Sequence, residues 1–239
     1  MISPFLVPRG RQCAIGLLVA CVGGCGALRS TGTPPPAFYA LERVRIETAV
    51  ARPAPATSSK AAPGLIVNPP RAAAGFDSQR ILYVREPYQL EYFAHSEWVD
   101  PPARMLAPLI VAALENSGTF RSVMLAPIAA AGDLRLDTEI VRLQQDFATQ
   151  PSRVHFTLRA HLVDNTTRRV VAWRVFDASV TAATDDPYGG VVAANRAVQT
   201  VLGQLAGFCA TAAVQWQTAA PVEPQPIIGP TTALPSSGS

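Results

Sequence analysis

One segment of the chain, residues 153–162, alternates between polar and apolar side chains at every position. Its apolar members are Val154, Phe156, Leu158, Ala160 and Leu162, and its polar members are Arg153, His155, Thr157, Arg159 and His161. Because successive side chains of a β-strand point to opposite faces of a sheet, this period of two predicts a strand with one buried and one wet face. The chain must therefore fold around a sheet that is covered on only one side.

Two more long segments with strand patterns flank this one. Residues 134–147 also alternate, but their apolar phase shifts near Ile140 and Val141, which predicts a β-bulge or a strong twist. Residues 164–167, Asp-Asn-Thr-Thr, have the composition of a turn, and residues 170–181 return as a third strand that is apolar on both faces in part. The sequence thus predicts a meander of three long strands.

Shorter strands and two helices complete the prediction. Asp100 is a candidate N-cap, proline is tolerated in the first helical turn, and Gly118 is a stop signal, so a helix is expected between them with a kink at Pro108. A second, longer helix is expected from Val191 to about Trp216, where apolar residues recur at helical spacing. Short strands are expected at residues 38–46, 65–67, 81–84 and 88–93. The predicted class is α+β: a single domain with an antiparallel sheet covered by two helices on one face.

The N-terminal segment has the composition of a bacterial lipoprotein signal peptide. Arg9 and Arg11 precede an apolar run, and small residues lead into a cysteine at Cys21 and again at Cys25. Both cysteines fit; we prefer Cys25 as the acylated residue because it leaves the longer apolar stretch, and Cys21 is the alternative. The run is shorter than the ~20 residues that span a bilayer. The expected modifications are a diacylglycerol on the thiol and an N-acyl chain such as palmitate, with no other cofactor.

These features divide the chain into four parts. Residues 1–24 are the signal peptide, 25–36 a Pro-rich tether, 37–218 the folded domain and 219–239 a disordered tail. Removal of the signal peptide takes away two arginines and no acids, which leaves 18 basic against 17 acidic residues, a net charge of +1. This balance gives no basic patch for nucleic acid. With Cys25 acylated, Cys209 is the remaining thiol, and its apolar helical surroundings favour a buried, inert side chain.

The sequence shows no constellation of catalytic or metal-binding residues. It lacks a Gly-x-Ser-x-Gly elbow, a phosphate-binding glycine loop and a Cys-x-x-Cys pair. His155 and His161 share a strand face but lie roughly 20 Å apart at ~3.3 Å per residue, too far to share a metal ion. We therefore expect no catalytic residue and no metal site. The informative cluster is aromatic and consists of Tyr83, Tyr88, Tyr92, Phe93 and Trp98. Two interpretations stay open: these residues are part of the core, or some of them form a partner surface.

The stretch from Gln79 to Pro102 resembles the ABC-type transport auxiliary lipoproteins, the PqiC-like components of MCE-type transport systems. The matching features are a Tyr-x-x-x-Pro step, a Leu-x-Tyr-aromatic pair, a Trp and a Pro-Pro pair before a Met-Leu helix start. The lipobox, the Phe38-Tyr39-x-Leu41 opening and the Ala-rich last helix follow in the same order. The similarity covers roughly residues 37–216.

This resemblance implies a function without catalysis. It implies an outer-membrane lipoprotein, lipid-anchored in the inner leaflet and facing the periplasm, that docks the periplasm-spanning MCE protein of an intermembrane lipid transport system. The partners implied are that MCE-domain protein and, through it, an inner-membrane ABC transporter or permease; since the MCE partner would be ring-shaped, a homo-oligomeric ring is an arrangement to test. The alternative is a structural or assembly lipoprotein that supports outer-membrane biogenesis.

Replacing each candidate cysteine separately tests the anchor. Cys25→Ser should abolish acylation and release the protein from the membrane fraction, because serine offers no thiol for the diacylglycerol. Cys21→Ser should leave both intact. Mass spectrometry of the mature N-terminus reads the result, and loss of the lipid from Cys21→Ser alone would move the mature terminus to Cys21.

Overall fold

The computed structural model describes residues 35–42, 62–127 and 132–219, which contain nine strands and two helices. The signal peptide, most of the tether, half of the first predicted strand and the predicted tail beyond Ala219 lie outside the described residues. All described residues from Pro36 onward belong to one unit. The elements in chain order are β1 (Ala37–Tyr39), β2 (Gly64–Val67), β3 (Arg71–Ala72), β4 (Arg80–Val84), β5 (Glu91–Trp98), α1 (Pro102–Asn116), β6 (Ser122–Leu125), β7 (Leu134–Asp146), β8 (Arg153–Asp164), β9 (Val170–Thr181) and α2 (Pro187–Ala219).

Strand β7 is the centre of the sheet, and β8 pairs with it antiparallel along its whole length. The pairs run from Leu134 opposite Asp164 to Asp146 opposite Arg153, with an irregularity between Ile140 and Arg142. Strand β9 then pairs antiparallel with β8. The predicted meander and the predicted bulge are both confirmed.

The other edge of β7 receives three short strands one after another, all parallel to it. Strands β2, β3 and β4 lie beside the first, middle and last parts of β7, with Leu65 opposite Leu134, Arg71 opposite Glu139 and Tyr83 opposite Gln145. Outside them, β6 pairs parallel with β2, β5 pairs antiparallel with β4, and β1 pairs parallel with β5. The α+β class is confirmed, and the sheet is mixed because these short strands join it in parallel.

The two ends of the sheet carry different connections. Because β4 is parallel to β7 and Val84 lies opposite Asp146, the β4–β5 turn projects beyond the C-terminal end of β7. We call residues 85–90 of this turn the hairpin tip. The β8–β9 turn lies at the other end, since Asp164 pairs with Leu134. At ~3.3 Å per residue, the 13 residues of β7 separate these ends by roughly 40 Å.

Strand β5 begins later than the alternation of its sequence predicts. Tyr88 was expected inside the strand, but it lies in the turn with a φ of 71°, and the strand starts at Glu91. The prediction of a strand start at residue 88 is therefore wrong. A residue in the left-handed region cannot continue a strand, and alternation alone does not reveal that conformation.

Helix α1 has the predicted extent but a different start. Pro101 occupies the N-cap position and no side chain caps the helix, so the expected cap by Asp100 is wrong; its carboxylate lies 3.3 Å from the Arg104 guanidinium one turn later. Pro108 lies inside the helix as expected. Gly118 has a φ of 66°, which confirms the predicted stop.

Helix α2 begins four residues before its predicted start. The Gly189 amide donates to Asp186 Oδ1 at 2.7 Å, which satisfies a free N–H of the first turn. By length and composition alone this helix could cross a membrane. Its apolar side chains instead lie in the core of the domain: Val191, Val198, Val201, Leu202 and Leu205 are buried there together with β8 residues Phe156 and Leu158. We therefore describe it as a core helix.

Asp164 joins the far end of α2 to the β8–β9 turn. Its Oδ1 accepts from the Thr166 and Thr167 amides, each at 2.8 Å, and its Oδ2 accepts from Trp216 Nε1 at 2.9 Å. The Thr167 amide, followed by the Trp216 indole, lowers the pKa of this carboxyl below its usual value. One charged side chain thus holds a turn and a helix terminus together.

Replacing this carboxylate should destabilise the protein in a pH-dependent way. Asp164→Asn should lower the free energy of unfolding by about 1 kcal/mol at neutral pH, because an amide presents one acceptor where three donors converge and the site is partly solvated. The folded-state pKa lies below the unfolded one, so the wild type keeps this contribution above pH ~4 and loses it as the pH falls below that value. Urea denaturation at neutral and acid pH measures both effects. The exposed Asp77→Asn is the control, and a difference between Asp164→Asn and wild type that does not shrink in acid would contradict the argument.

Two glycines in α2 should respond oppositely to the same substitution. A Cβ at Gly189 would overlap the Thr184 carbonyl oxygen, whereas a Cβ at Gly203 would meet no atom within 4 Å. Gly189→Ala should therefore cost about 1 to 3 kcal/mol of stability through overpacking, and Gly203→Ala should add about 0.5 to 1 kcal/mol through helix propensity. Thermal denaturation of both variants checks this. Equal melting temperatures would show that the first turn of α2 accommodates the added methyl group with no loss of stability.

Candidate functional site

The aromatic cluster predicted from the sequence divides into a buried and an exposed part. Trp98 and Tyr83 are 3% and 7% exposed and belong to the core, and Phe93 is partly buried. The Tyr83 and Phe93 rings lie 4.5 Å apart, centroid to centroid, and Phe147 meets Tyr83 edge-on at 5.7 Å. Three of the five residues are thus mainly packing residues, so a partner surface here would depend on the other two.

Tyr88 and Tyr92 are the exposed members of this cluster. Tyr88 is fully exposed at the hairpin tip, and Tyr92 is 50% exposed one residue into β5. Leu90, which the sequence analysis did not single out, is exposed between them. The Arg80 guanidinium lies 4.1 Å above the Tyr92 ring, a cation–π contact that holds this ring in place. The tip therefore presents a small group of apolar and aromatic side chains.

Below the tip, a hydrogen bond closes the hairpin. Tyr83 Oη donates to Glu91 Oε2 at 2.9 Å. Burial, with a further contribution from this bond, raises the pKa of the Tyr83 phenol. The phenol therefore acts as a donor at physiological pH and fixes the base of the hairpin.

The histidines lie where the sequence predicts and do not converge. His155 and His161 share the wet face of β8, six residues apart. His155 Nε2 lies 3.8 Å from Asp146 Oδ2, but burial, followed by the nearby Arg142 charge, lowers the pKa of this imidazole. His95 lies exposed on β5. Within the described ranges, no group of three or more His, Cys, Asp or Glu residues could hold a metal ion.

The open face of the sheet is a network of paired charges. Arg159 lies 2.8 Å from Glu139, and Arg142 lies 3.0 Å from Asp177. Asp177 also accepts from Thr157 Oγ1 at 2.5 Å; this bond, more than the Arg142 charge, lowers the pKa of the Asp177 carboxyl. Such half-exposed pairs contribute little stability each, but they leave this face polar and locally neutral.

Sequence reasoning missed an apolar surface on β9. Val170, Trp173 and Val175 are exposed there, Trp173 at 64%, and we call these three residues the β9 patch. Trp173 stacks on His161 with a centroid distance of 6.4 Å. Among the described residues β9 pairs only with β8, so its outer edge leaves backbone N–H and C=O groups available. The sequence contains one signal for this surface, because the strand predicted at residues 170–181 is apolar on both faces in part.

The two functional cysteine predictions have different outcomes. Cys209 is fully buried, which confirms the prediction of a buried thiol, and burial raises the pKa of this thiol to about 12. Cys21 and Cys25 lie outside the described residues, and acylation at either stays a prediction.

Comparison with known proteins identifies the fold class and then the family. A crystal structure of a protein from Xanthomonas campestris assigned to the DUF330 family is 27% identical over 76% of this chain and 98% of that one, with a TM-score of 0.64. A crystal structure of an uncharacterised protein is 12% identical, covers 73% of this chain and 99% of that one, and has a TM-score of 0.56. No protein of curated function matches the chain.

The family follows from the sequence itself. The family of ABC-type transport auxiliary lipoprotein components matches residues 45–206. This chain belongs to that family, which associates it with a transport system and, as a lipoprotein, with the cell envelope. The resemblance seen between Gln79 and Pro102 is thereby confirmed.

Proposed function

We propose that this chain is a non-enzymatic outer-membrane lipoprotein subunit of an MCE/ABC-type intermembrane lipid transport system, where it docks the periplasm-spanning MCE component. The observation that carries this proposal is the family match over residues 45–206. The chain would be anchored in the inner leaflet by the lipids on Cys25 and would face the periplasm. Its contribution would be position and contact rather than chemistry.

The chemistry of the described residues supports a role in binding. His155 is half-buried and its pKa is low, and the nearest carboxylate, Asp146, lies beyond hydrogen-bond distance at 3.8 Å. The Cys209 thiol is sealed in the core. Asp185 and Asp186 accept backbone amides of Ser152 and Gly189, so they act as turn and cap residues. Cys209, Asp185 and Asp186 therefore have structural roles.

The β9 patch is the surface we assign to the MCE partner. It combines an exposed tryptophan with a free strand edge, and both recur where one protein adds a strand to the sheet of another. An open depression next to it, lined by Val171, Trp216 and Ala219, extends the contact area towards the end of α2. The partner would therefore meet the domain at the end of the sheet that is opposite the hairpin tip.

A pull-down with matched variants tests this assignment. Val175→Glu places a charge in the β9 patch and should reduce recovery of an MCE protein from detergent-solubilised envelopes, because the charge would be desolvated on docking. Val99→Glu is the control, since Val99 is similarly exposed on the β5 side of the sheet. Mass spectrometry identifies the recovered proteins, and the native mass of the purified chain tests the expected ring.

Two results would contradict the proposal. Recovery of a β-barrel insertion protein, or of no partner despite intact acylation, would favour the alternative role in outer-membrane assembly. Equal loss of the MCE protein from both variants would show that the β9 patch is not the docking surface.

A further inference from the structure

The hairpin tip exposes apolar side chains, although Arg80 lies over the Tyr92 ring and Leu90 lines a shallow depression beside Gly75 and Asp77. Residues 85–90 are all exposed, and Tyr88, Leu90 and the adjacent Tyr92 are among the most exposed large apolar residues of the described chain. The two charges of the tip, on Arg85 and Glu86, are adjacent and of opposite sign. The tip is therefore amphipathic and close to neutral.

Tyr88 holds its exposed position at a conformational cost. Its φ of 71° lies in the left-handed region, where a bulky aromatic residue is rare and where glycine or asparagine would fit with less strain. Its side chain is fully exposed, so burial does not offset this strain. An outlier of this kind on an exposed turn makes the side chain a candidate for a contact outside the domain.

The direction of β1 relates this tip to the N-terminal segment. Strand β1 runs parallel to β5, with Ala37 opposite Ser96 and Tyr39 opposite Trp98. Strand β5 runs away from the tip, so β1 does as well, and Ala37 is at the end of β1 that is nearer the tip. Asn195 fixes this arrangement from α2: its Oδ1 accepts the Glu42 amide at 2.8 Å, and its Nδ2 donates to the Ala40 carbonyl at 3.2 Å.

The segment between the predicted lipid and β1 is long enough to reach the level of the tip. Twelve residues separate Cys25 from Ala37, and a fully extended chain of that length spans at most about 40 Å. The tip lies roughly 25 Å from the start of β1, counted along β5 and the turn at ~3.3 Å per residue. An acyl anchor on Cys25 can therefore lie in the plane that the tip touches, and an anchor on Cys21 can as well.

We propose that the hairpin tip is a membrane-contact site, at which Tyr88, Leu90 and Tyr92 enter the headgroup region of the phospholipid bilayer that holds the lipid anchor. Tyrosine suits this region because its ring is apolar and its hydroxyl stays hydrated. The single arginine of the tip, Arg85, can reach a lipid phosphate, while the opposite charge on Glu86 leaves the contact mainly apolar. This inference rests on the lipid anchor of the proposed function and is independent of the transport partner.

A weak contact is sufficient at this site. The acyl chains already hold the domain at the membrane, so insertion of the tip is an intramolecular step with a high effective concentration. Its effect is orientation: the domain stands on the tip end of the sheet and presents the opposite end to the periplasm.

Fluorescent labelling of the full lipidated chain in vesicles tests the proposal. Tyr88→Cys carries a bimane label at the tip, and Val214→Cys carries it on an exposed position near the other end of α2. The buried Cys209 thiol, with its pKa of about 12, stays unlabelled at neutral pH. Mass spectrometry first confirms acylation of each sample. The vesicles contain phosphatidylethanolamine and phosphatidylglycerol, with a nitroxide on a fraction of the headgroups.

The expected result is a loss of bimane fluorescence at residue 88 through the headgroup nitroxide, together with protection from aqueous iodide. The label at residue 214 should keep its fluorescence with the nitroxide lipid and lose it with iodide. If the nitroxide lipid quenches both labels, the domain lies flat on the bilayer and the proposal is wrong. If it quenches neither label, the domain stands clear of the bilayer and the proposal is also wrong.

A pair of charged variants separates a membrane contact from a protein contact at the tip. Leu90→Asp should abolish the nitroxide quenching of a label at residue 88 and leave recovery of the MCE protein unchanged, whereas Val99→Asp, at the end of β5 away from the tip, should change neither. If Leu90→Asp instead abolishes recovery of the partner and the wild-type tip shows no quenching, the tip is a protein-docking surface and the proposal fails. If no MCE protein is recovered from any sample but the tip is quenched, the proposed function fails and the membrane contact stands.

Discussion

The fold depends on the pairing of β7, which has strand partners on both of its edges. On one side β8 forms a continuous antiparallel ladder, and on the other side β2, β3 and β4 fill the edge in succession. The remaining strands attach to these, β1 through β5, and both helices bury their apolar residues in the same core as β7 and β8. Partners on both edges of a central strand stabilise such a domain, because buried backbone groups have no water to satisfy them.

Two polar side chains connect the helical layer to other segments of the chain. Asn195 of α2 binds the backbone after β1, and Asp164 of the β8–β9 turn binds the indole of Trp216 near the end of the same helix. These contacts fix where the chain enters the domain and where the helix ends. The exposed surfaces that we assign to membrane and partner are therefore held rigidly with respect to one another.

The sequence predicted those parts of the fold that have a strong local signal. The three long strands, the bulge near Ile140, both helices and the buried Cys209 follow from periodicity and turn chemistry, and all are confirmed. The parallel strands β3 and β6 were missed because they are short and take their stability from distant neighbours. The left-handed Tyr88 and the exposed Trp173 could not be separated from core aromatics by composition, since exposure depends on which edge of the sheet stays open.

If the proposed function is right, the parallel run of β1 beside β5 has a consequence for the distance from the bilayer at which a lipid would be handed over. If the anchored end and the partner end of the domain are opposite ends of β7, the partner-binding end lies roughly 40 Å above the bilayer, which is the length of that strand. The partner assembly would then end at this height instead of at the membrane surface. In the last stage of transfer, the lipid would move along the side of this domain or through a space enclosed by several copies of the chain. If β1 ran in the opposite direction, the other end of the domain would face the membrane, although every other contact in the sheet could stay the same.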